Sequence, residues 1–259
     1  MAIEYGPRGL IGVITPQANT TVEPEFGILL PPGYATINAR LMSEKTSIET
    51  RLVDYFAQYE SALSQFANAP IRAVAYGCTG ASYLAGRERE YATLQGIEQR
   101  LGVAAITAAS AVVDALKQMG AQRIALSSPY PQALTRTSIG YWESHGFEVA
   151  AEATATADPA QFHPIYSMSA ASAARTLEQL AAQGPVDAVV MLGTGMPTLG
   201  PILAANAQAG GPPVLSCMLC LVWRCIQAIA PEEAELERWL SGSDWRGSFE
   251  RRMGPVDTA

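Results

Sequence analysis

Ile71-Arg-Ala-Val-Ala-Tyr-Gly-Cys78-Thr79-Gly80 and Val186-Asp-Ala-Val-Val-Met-Leu-Gly193-Thr194-Gly195 are two versions of one pattern. Each is a short apolar, β-rich run that ends in an x-Thr-Gly turn and passes into a helical pattern. The pairing recurs upstream, where strand Ile11–Thr15 ends at Pro16 and strand Ile124–Ser128 ends at Pro129. The paired positions lie 115 residues apart for Cys78 and Gly193 and 113 apart for Pro16 and Pro129. A nearly constant offset marks an internal repeat. It predicts two similar lobes, each with two functional strand ends.

The rest of the chain fits this frame. Apolar runs at Leu10–Thr15, Ala35–Leu41, Ala73–Gly77, Val103–Thr107, Arg123–Ser127, Glu148–Ala153, Ala188–Leu192 and Val214–Ser216 read as strands. Helical patterns fall between them at Ile48–Phe66, Glu88–Leu101, Ala109–Met119, Leu134–His145, Ser169–Gln183, Leu199–Ala207 and Leu219–Ile229. Gly102, Gly120, Gly146 and Gly184 follow last turns, as helix stop signals should. Strands alternating with helices imply a mostly parallel sheet covered on both faces. Continuous apolar strands agree with that. Beyond Pro231 the chain is more polar; Glu232–Leu240 reads as a helix, and Arg251–Ala259 is expected to fray.

Composition narrows the function. A chain of 259 residues that is 49% hydrophobic and 16% charged can bury a large core unaided. Its net charge of −7, with no Lys/Arg stripe, excludes the footprint that nucleic acid requires. The early apolar run Leu10–Ile14 is too short to span a bilayer, and no secretory signal pattern is visible. The cytoplasm is the expected compartment. Three of the four cysteines, Cys217, Cys220 and Cys225, crowd together, which suits reduced thiols better than a disulfide framework.

Ligands of parallel α/β sheets bind outside the carboxyl ends of the strands. Four turns qualify: Pro16–Asn19, Cys78–Ser82, Pro129–Tyr130 and Gly193–Thr198. Gly80, Gly193 and Gly195 permit close backbone approach, and helices opening after the turns offer N–H groups to a carboxylate. Thr79, Thr194 and Tyr130 add hydroxyl donors. Cys78 stands where a strand meets a helix, a position that biases a thiol toward thiolate and equips it as nucleophile, base or proton donor. A buried structural cysteine is the alternative. Asn19 either caps the helix carrying Glu23 or orients a substrate carboxylate. Cys217-x-x-Cys220 reads as packing at a buried helix start rather than a redox pair. His145, at a helix end where positive charge is favoured, and His163 read as surface or capping residues. No metal site, phosphate-binding loop, dinucleotide fingerprint or Gly-x-Ser-x-Gly elbow is present, so no cofactor is expected.

Ile11-Gly-Val-Ile-Thr-Pro16-Gln-Ala-Asn19-Thr-Thr-Val-Glu23 resembles the opening of the maleate cis–trans isomerases. Tyr76-Gly-Cys78-Thr79, Ser128-Pro129-Tyr130 and Met196-Pro197-Thr198-Leu199 are similar to their later motifs. The chain therefore resembles the aspartate/glutamate racemase superfamily near maleate isomerase and arylmalonate decarboxylase, from about residue 8 to residue 225. The resemblance implies two pseudo-symmetric flavodoxin-like lobes, each a mostly parallel sheet with helices on both faces, and an active site between them. Residues 1–113 and 214–259 would form the first lobe and 114–213 the second.

Racemases and maleate isomerases of this group carry a cysteine on each lobe. The first matches Cys78; the second position falls on Gly193, which argues against two-base racemisation. Arylmalonate decarboxylases use one cysteine, on the second lobe, so this chain looks like their mirror image. Their dioxyanion hole carries over to Thr79 and Tyr130, with Thr194 and Gly195 backbone donors as an extension. The first expectation is thus cofactor-independent decarboxylation of a malonate-type acid, with Cys78 protonating an enediolate. The second is maleate-type cis–trans isomerisation, with Cys78 as nucleophile, or related carbon-acid chemistry. A non-catalytic carboxylate-binding protein is the third. The implied partner is a small dicarboxylic acid, and a homo-oligomer is left open.

Overall fold

The computed structural model describes residues 3–155, 164–208 and 210–256. The first half runs β1 (Gly9–Pro16), α1 (Val22–Leu29), β2 (Tyr34–Leu41), α2 (Ile48–Ala57), α3 (Tyr59–Ala62), β3 (Ile71–Tyr76), α4 (Thr79–Ala85), α5 (Arg87–Leu101), β4 (Ala104–Thr107) and α6 (Ala108–Met119). The second runs β5 (Arg123–Ser128), α7 (Gln132–Ser144), β6 (Glu148–Thr154), α8 (Ala170–Ala181), β7 (Ala188–Met191), α9 (Leu199–Asn206), β8 (Val214–Ser216) and α10 (Cys217–Ile229). Helices α11 (Leu236–Leu240) and α12 (Arg246–Met253) follow.

The strands form two parallel sheets, ordered β2-β1-β3-β4 and β6-β5-β7-β8. The second order is the first displaced by four strands, so the sequence repeat is a repeat of topology. Strand order reverses between β1 and β3, and again between β5 and β7. Such reversals open a crevice at the carboxyl ends. The turns carrying Pro16, Cys78, Tyr130 and Gly193 flank these two crevices. All eight residues of β1 and all four of β7 are buried, as strands covered on both faces must be.

Local signals set the helix ends. Thr107 and Ser110 form a reciprocal capping box at the start of α6, and Gly120 closes it in the left-handed region. The expected Ile48–Phe66 helix is interrupted: the Gln58 amide donates to the Met42 and Asp54 carbonyls, and α3 gives way to a 3-10 turn at Leu63–Phe66. Expected helix Glu232–Leu240 is a 3-10 turn followed by α11. The C-terminal stretch, expected to fray from Arg251, instead forms α12 as far as Met253.

Val214–Ser216, grouped by the sequence division with the first lobe, pairs with β7 in the second sheet. The chain crosses back only with α10, which packs on α6, β3 and β4. This helix is apolar nearly all round, and Met218, Leu221, Val222, Trp223 and Ile226 are among its buried residues. Each fully buried apolar side chain of that size stabilises by roughly 1.5–3 kcal/mol. Cys217, Cys220 and Cys225 are likewise buried and form no disulfide, in keeping with the reading of Cys217 and Cys220 as packing residues.

Candidate active site

A small pocket of about 50 Å³ collects residues from both lobes at the strand ends. Pro16, Cys78, Thr79 and Gly80 line it from the first lobe, and Tyr130, Thr194 and Gly195 from the second. Helix α2 contributes Ile48, Arg51, Leu52 and Tyr55, and the segment after β6 contributes Pro164, Ile165 and Tyr166. This volume holds roughly three to five waters, the scale of a short organic acid. The glycines permit the close packing of these walls. A Cβ on Gly80 would lie 2.8 Å from Leu52 Cδ1, and one on Gly195 would lie 2.5 Å from Tyr166 Cδ1.

Cys78 occupies the N-cap position of α4 and is 3% exposed. Its only neighbouring stabiliser of negative charge among the described interactions is the Ala81 N–H. Burial outweighs that bond and pushes the thiol up to about 12. The sequence expectation of a thiolate bias is therefore corrected: desolvation outweighs the helix terminus, and the group is a neutral thiol at neutral pH.

Thr79 Oγ1 is buried without a hydrogen-bond partner of good geometry, beside the Tyr130 phenol and the Cys217 thiol. Burial also raises Tyr130 well above the ordinary phenol range, so it stays a neutral donor. These hydroxyls meet at the wall next to Cys78. They are suited to receive a carboxylate.

The second-lobe turn is built differently. Thr194 Oγ1 donates to the Gly77 carbonyl at 2.8 Å, and Thr21 Oγ1 donates to the Gly195 carbonyl at 2.7 Å. Asn19 Nδ2 donates to the Thr194 carbonyl at 3.1 Å, while its Oδ1 accepts from the N–H groups of Thr21 and Val22. Asn19 thus holds the two N–H groups at the threshold of α1, whose N-cap is Thr21, and ties the lobes together; it is not among the pocket-lining residues. Glu25 joins this seam by accepting from Thr198 N at 3.0 Å; burial pushes its carboxyl up to about 8.

Gly193 also lies outside the lining set. It sits at φ +84°, and a Cβ there would meet Pro129 Cγ at 2.9 Å and the Tyr130 hydroxyl at 3.3 Å. Its N–H instead faces the Cys217 thiol, which also contacts Thr79 and Tyr83. His145 is half-buried against the Tyr141 ring, and burial with Arg87 and Lys117 nearby lowers it to about 4. The positive charge expected at that helix end is therefore absent at neutral pH. His163 lies outside the described residues. Among the described residues, no three His, Cys, Asp or Glu side chains come together as a metal site needs. No helix among them is long and apolar enough to cross a membrane.

Sequence reading missed the α2 wall and the Pro164–Tyr166 wall. The first had a signal: Ile48, Leu52 and Tyr55 recur at helical spacing with Arg51 inside the same stripe. An arginine on a buried face marks polar work there.

Comparison with known proteins agrees with this architecture. The family model for arylmalonate decarboxylase matches residues 11–237. Maleate isomerase of Nocardia farcinica is 29% identical over 216 residues, covering 80% of this chain and 84% of the relative. Maleate isomerase of Alcaligenes faecalis is 26% identical over 237 residues, covering 86% and 91%. Among solved structures, the Nocardia farcinica maleate cis–trans isomerase is similar as a cysteine-to-serine mutant with a covalently bound succinylcysteine intermediate. It has a TM-score of 0.73, is 25% identical, and the match covers 85% of this chain and 92% of that one. An arylmalonate decarboxylase with a glycine-to-cysteine and a cysteine-to-serine change shares the fold at TM-score 0.72 and 18% identity, covering 86% and 93%. The repeat of topology, the strand-end pocket and the match over most of the chain lead to one assignment: this protein belongs to the arylmalonate decarboxylase family.

Proposed function

We propose that the protein is an enzyme that interconverts the cis and trans forms of a short, maleate-type dicarboxylic acid, with Cys78 as the attacking group. The observation that carries this reading is a single thiol lining a small pocket of about 50 Å³ at the strand ends. Addition and elimination need one nucleophile, whereas racemisation needs proton transfer on two faces. The curated relatives of Nocardia farcinica and Alcaligenes faecalis are maleate isomerases, and both align over four fifths or more of this chain.

The chemistry balances within the pocket. Cys78 sulfur bonds to one alkene carbon, and the π electrons move into the carboxylate on the other carbon. The thiol proton passes to an oxygen of that carboxylate, giving an enediol form without an external base. Thr79 and Tyr130 donate to its oxygens, where charge has grown. Rotation about the new single bond and reversal of the addition then release the trans acid and restore the thiol. Asn19 acts indirectly, by holding Thr194 and the turn around it.

The protonated state of Cys78 favours a second reading. A thiol raised to about 12 is protonated at neutral pH and so holds the proton that a strongly basic enediolate needs. Donors beside it and apolar walls from Ile48, Leu52 and Ile165 also suit decarboxylation of a malonate-type acid, with Cys78 protonating the enediolate.

Proton NMR in D2O separates the readings. The protein is incubated with maleate and, separately, with alkyl- and arylmalonates, with Cys78→Ala as control. Conversion of maleate to fumarate at a rate about 10³-fold or more above the control is expected. Deuterium at the α-carbon of a monoacid, with maleate untouched, would replace isomerisation by decarboxylation. Conversion unchanged in Cys78→Ala would remove the cysteine from either mechanism.

A further inference from the structure

Thr79 has one hydroxyl proton to give, and a hydroxyl rotates to suit its neighbours. Something has to turn that proton toward a ligand. Thr79 is 1% exposed, and its Oγ1 has no partner of good geometry among the described residues. Two polar groups lie beside it, the Tyr130 phenol and the Cys217 thiol. Either could accept the proton and withdraw it from the pocket.

Cys217 is placed to decide this. Strands β7 and β8 run side by side with Met191 opposite Ser216, so Gly193 and Cys217 leave the sheet as neighbours. Ser216 caps α10, its hydroxyl accepting from the Leu219 N–H at 3.2 Å. The helix start therefore makes no demand on the Cys217 side chain, which is fully buried. The Gly193 N–H and the Tyr83 hydroxyl lie against its sulfur. The Tyr83 hydroxyl, like that of Thr79, is buried with no partner of good geometry among the described residues. The thiol is the polar neighbour that these two hydroxyls share. Burial pushes it up to about 11, so it keeps its proton at neutral pH. Sulfur accepts weakly and S–H donates weakly. With two donors against the sulfur, Thr79 Oγ1 is the acceptor left among these neighbours for the thiol proton.

We infer that Cys217 is a positioning residue for Thr79. Its sulfur accepts from the Gly193 N–H and from Tyr83, its S–H donates to Thr79 Oγ1, and the Thr79 proton is thereby turned into the pocket. A substrate carboxylate then outcompetes the Tyr130 oxygen for that proton, being the stronger acceptor. The thiol that the second lobe lacks at Gly193 has a counterpart behind the wall, which touches no substrate and serves the donor that does. The inference rests on Thr79 holding a carboxylate, which isomerisation and decarboxylation share.

Infrared difference spectra test the bond with no substrate present. The S–H stretch of Cys217 is the band lost in Cys217→Ala. In Thr79→Val it should move to higher frequency, as a thiol does on losing its acceptor. A double-mutant cycle tests the role. Cys217→Ala should lower kcat for maleate about threefold to tenfold when Thr79 is present. On a Thr79→Val background the further loss should be less than about twofold. Cys217→Ser, which keeps a donor and an acceptor, should recover most of the loss; serine is close to alanine in size, so packing would not explain the recovery. An unmoved band, or losses that multiply across the cycle, would overturn the positioning role. A shifted band with maleate left unconverted would keep Cys217 on Thr79 and sink the isomerase reading. Fumarate formed by a protein whose band does not move would do the reverse.

Discussion

The turns after β3 and β7 are the same element made twice and used in two ways. Cys78-Thr79-Gly80 runs straight into α4, so its thiol and hydroxyl stand at a helix N-terminus facing the pocket. Gly193-Thr194-Gly195 is followed by a short loop, and α9 begins only at Leu199. Thr79 Oγ1 is without a good partner, while Thr194 Oγ1 is bonded to the opposite lobe. The first turn keeps its polar groups for a ligand. The second commits them to joining the lobes. Repetition of topology therefore does not carry repetition of role, because one hydroxyl can be unsatisfied only where something else will satisfy it.

The sharpest way to break the comparison is to remove each hydroxyl in turn. Thr79→Val is expected to lower kcat by about 10- to 100-fold with little change in melting temperature, as loss of one anion donor does. Thr194→Val should instead cost about 1–3 kcal/mol of stability, because it strips the buried Gly77 carbonyl of its donor. Urea unfolding with parallel rate assays reads both, and equal rate losses would erase the distinction. A smaller effect tests whether the second turn can be made chemical again. Gly193→Cys should lower stability by about 1–3 kcal/mol without raising the rate. The side chain would have to adopt φ +84° and displace Pro129. A faster, equally stable variant would show that the turn accepts a second thiol.

The mildest test uses the seam itself. The folded-state carboxyl of Glu25 is raised from 4.5 to about 8 by burial, so the folded protein holds its proton more tightly than the unfolded chain does. The stability it contributes is fully present below pH 4.5 and is lost as pH rises to about 8. Denaturation midpoints across that window should fall with pH, and Glu25→Gln should flatten the decline. An identical slope in the variant would mean that another group governs it.

Most of the frame was legible because parallel strands are continuous apolar runs and glycines close their helices. The turns carrying Pro16, Cys78, Thr79, Gly80, Tyr130, Thr194 and Gly195 do converge on one cavity. Asn19 stayed open between helix-start bonding and substrate binding because both call for the same side chain at the same place; its bonds here run to Thr21, Val22 and Thr194. Gly193 was recognisable as a missing thiol, but its left-handed backbone was not. The α2 wall escaped because helical spacing states which residues share a face, and says nothing of what that face meets. Cys78 lines the cavity at the strand end where the sequence sets it, but the burial that raises its thiol comes from walls distant in the chain and had no local signal.

The crossing of α10 from β8 to the first sheet has a consequence for synthesis. Strands β3 and β4 end by Thr107, yet the helix that covers them ends at Ile229. Contacts so distant along the chain close late. As the chain leaves the ribosome, α5 and α6 can pack on β4 early, but the part of the first sheet that α10 covers waits until the other sheet has been made. The thiol turn and the tying turn can thus mature only together, and a nascent chain halted between the lobes would expose an apolar sheet face to whatever holds unfinished proteins.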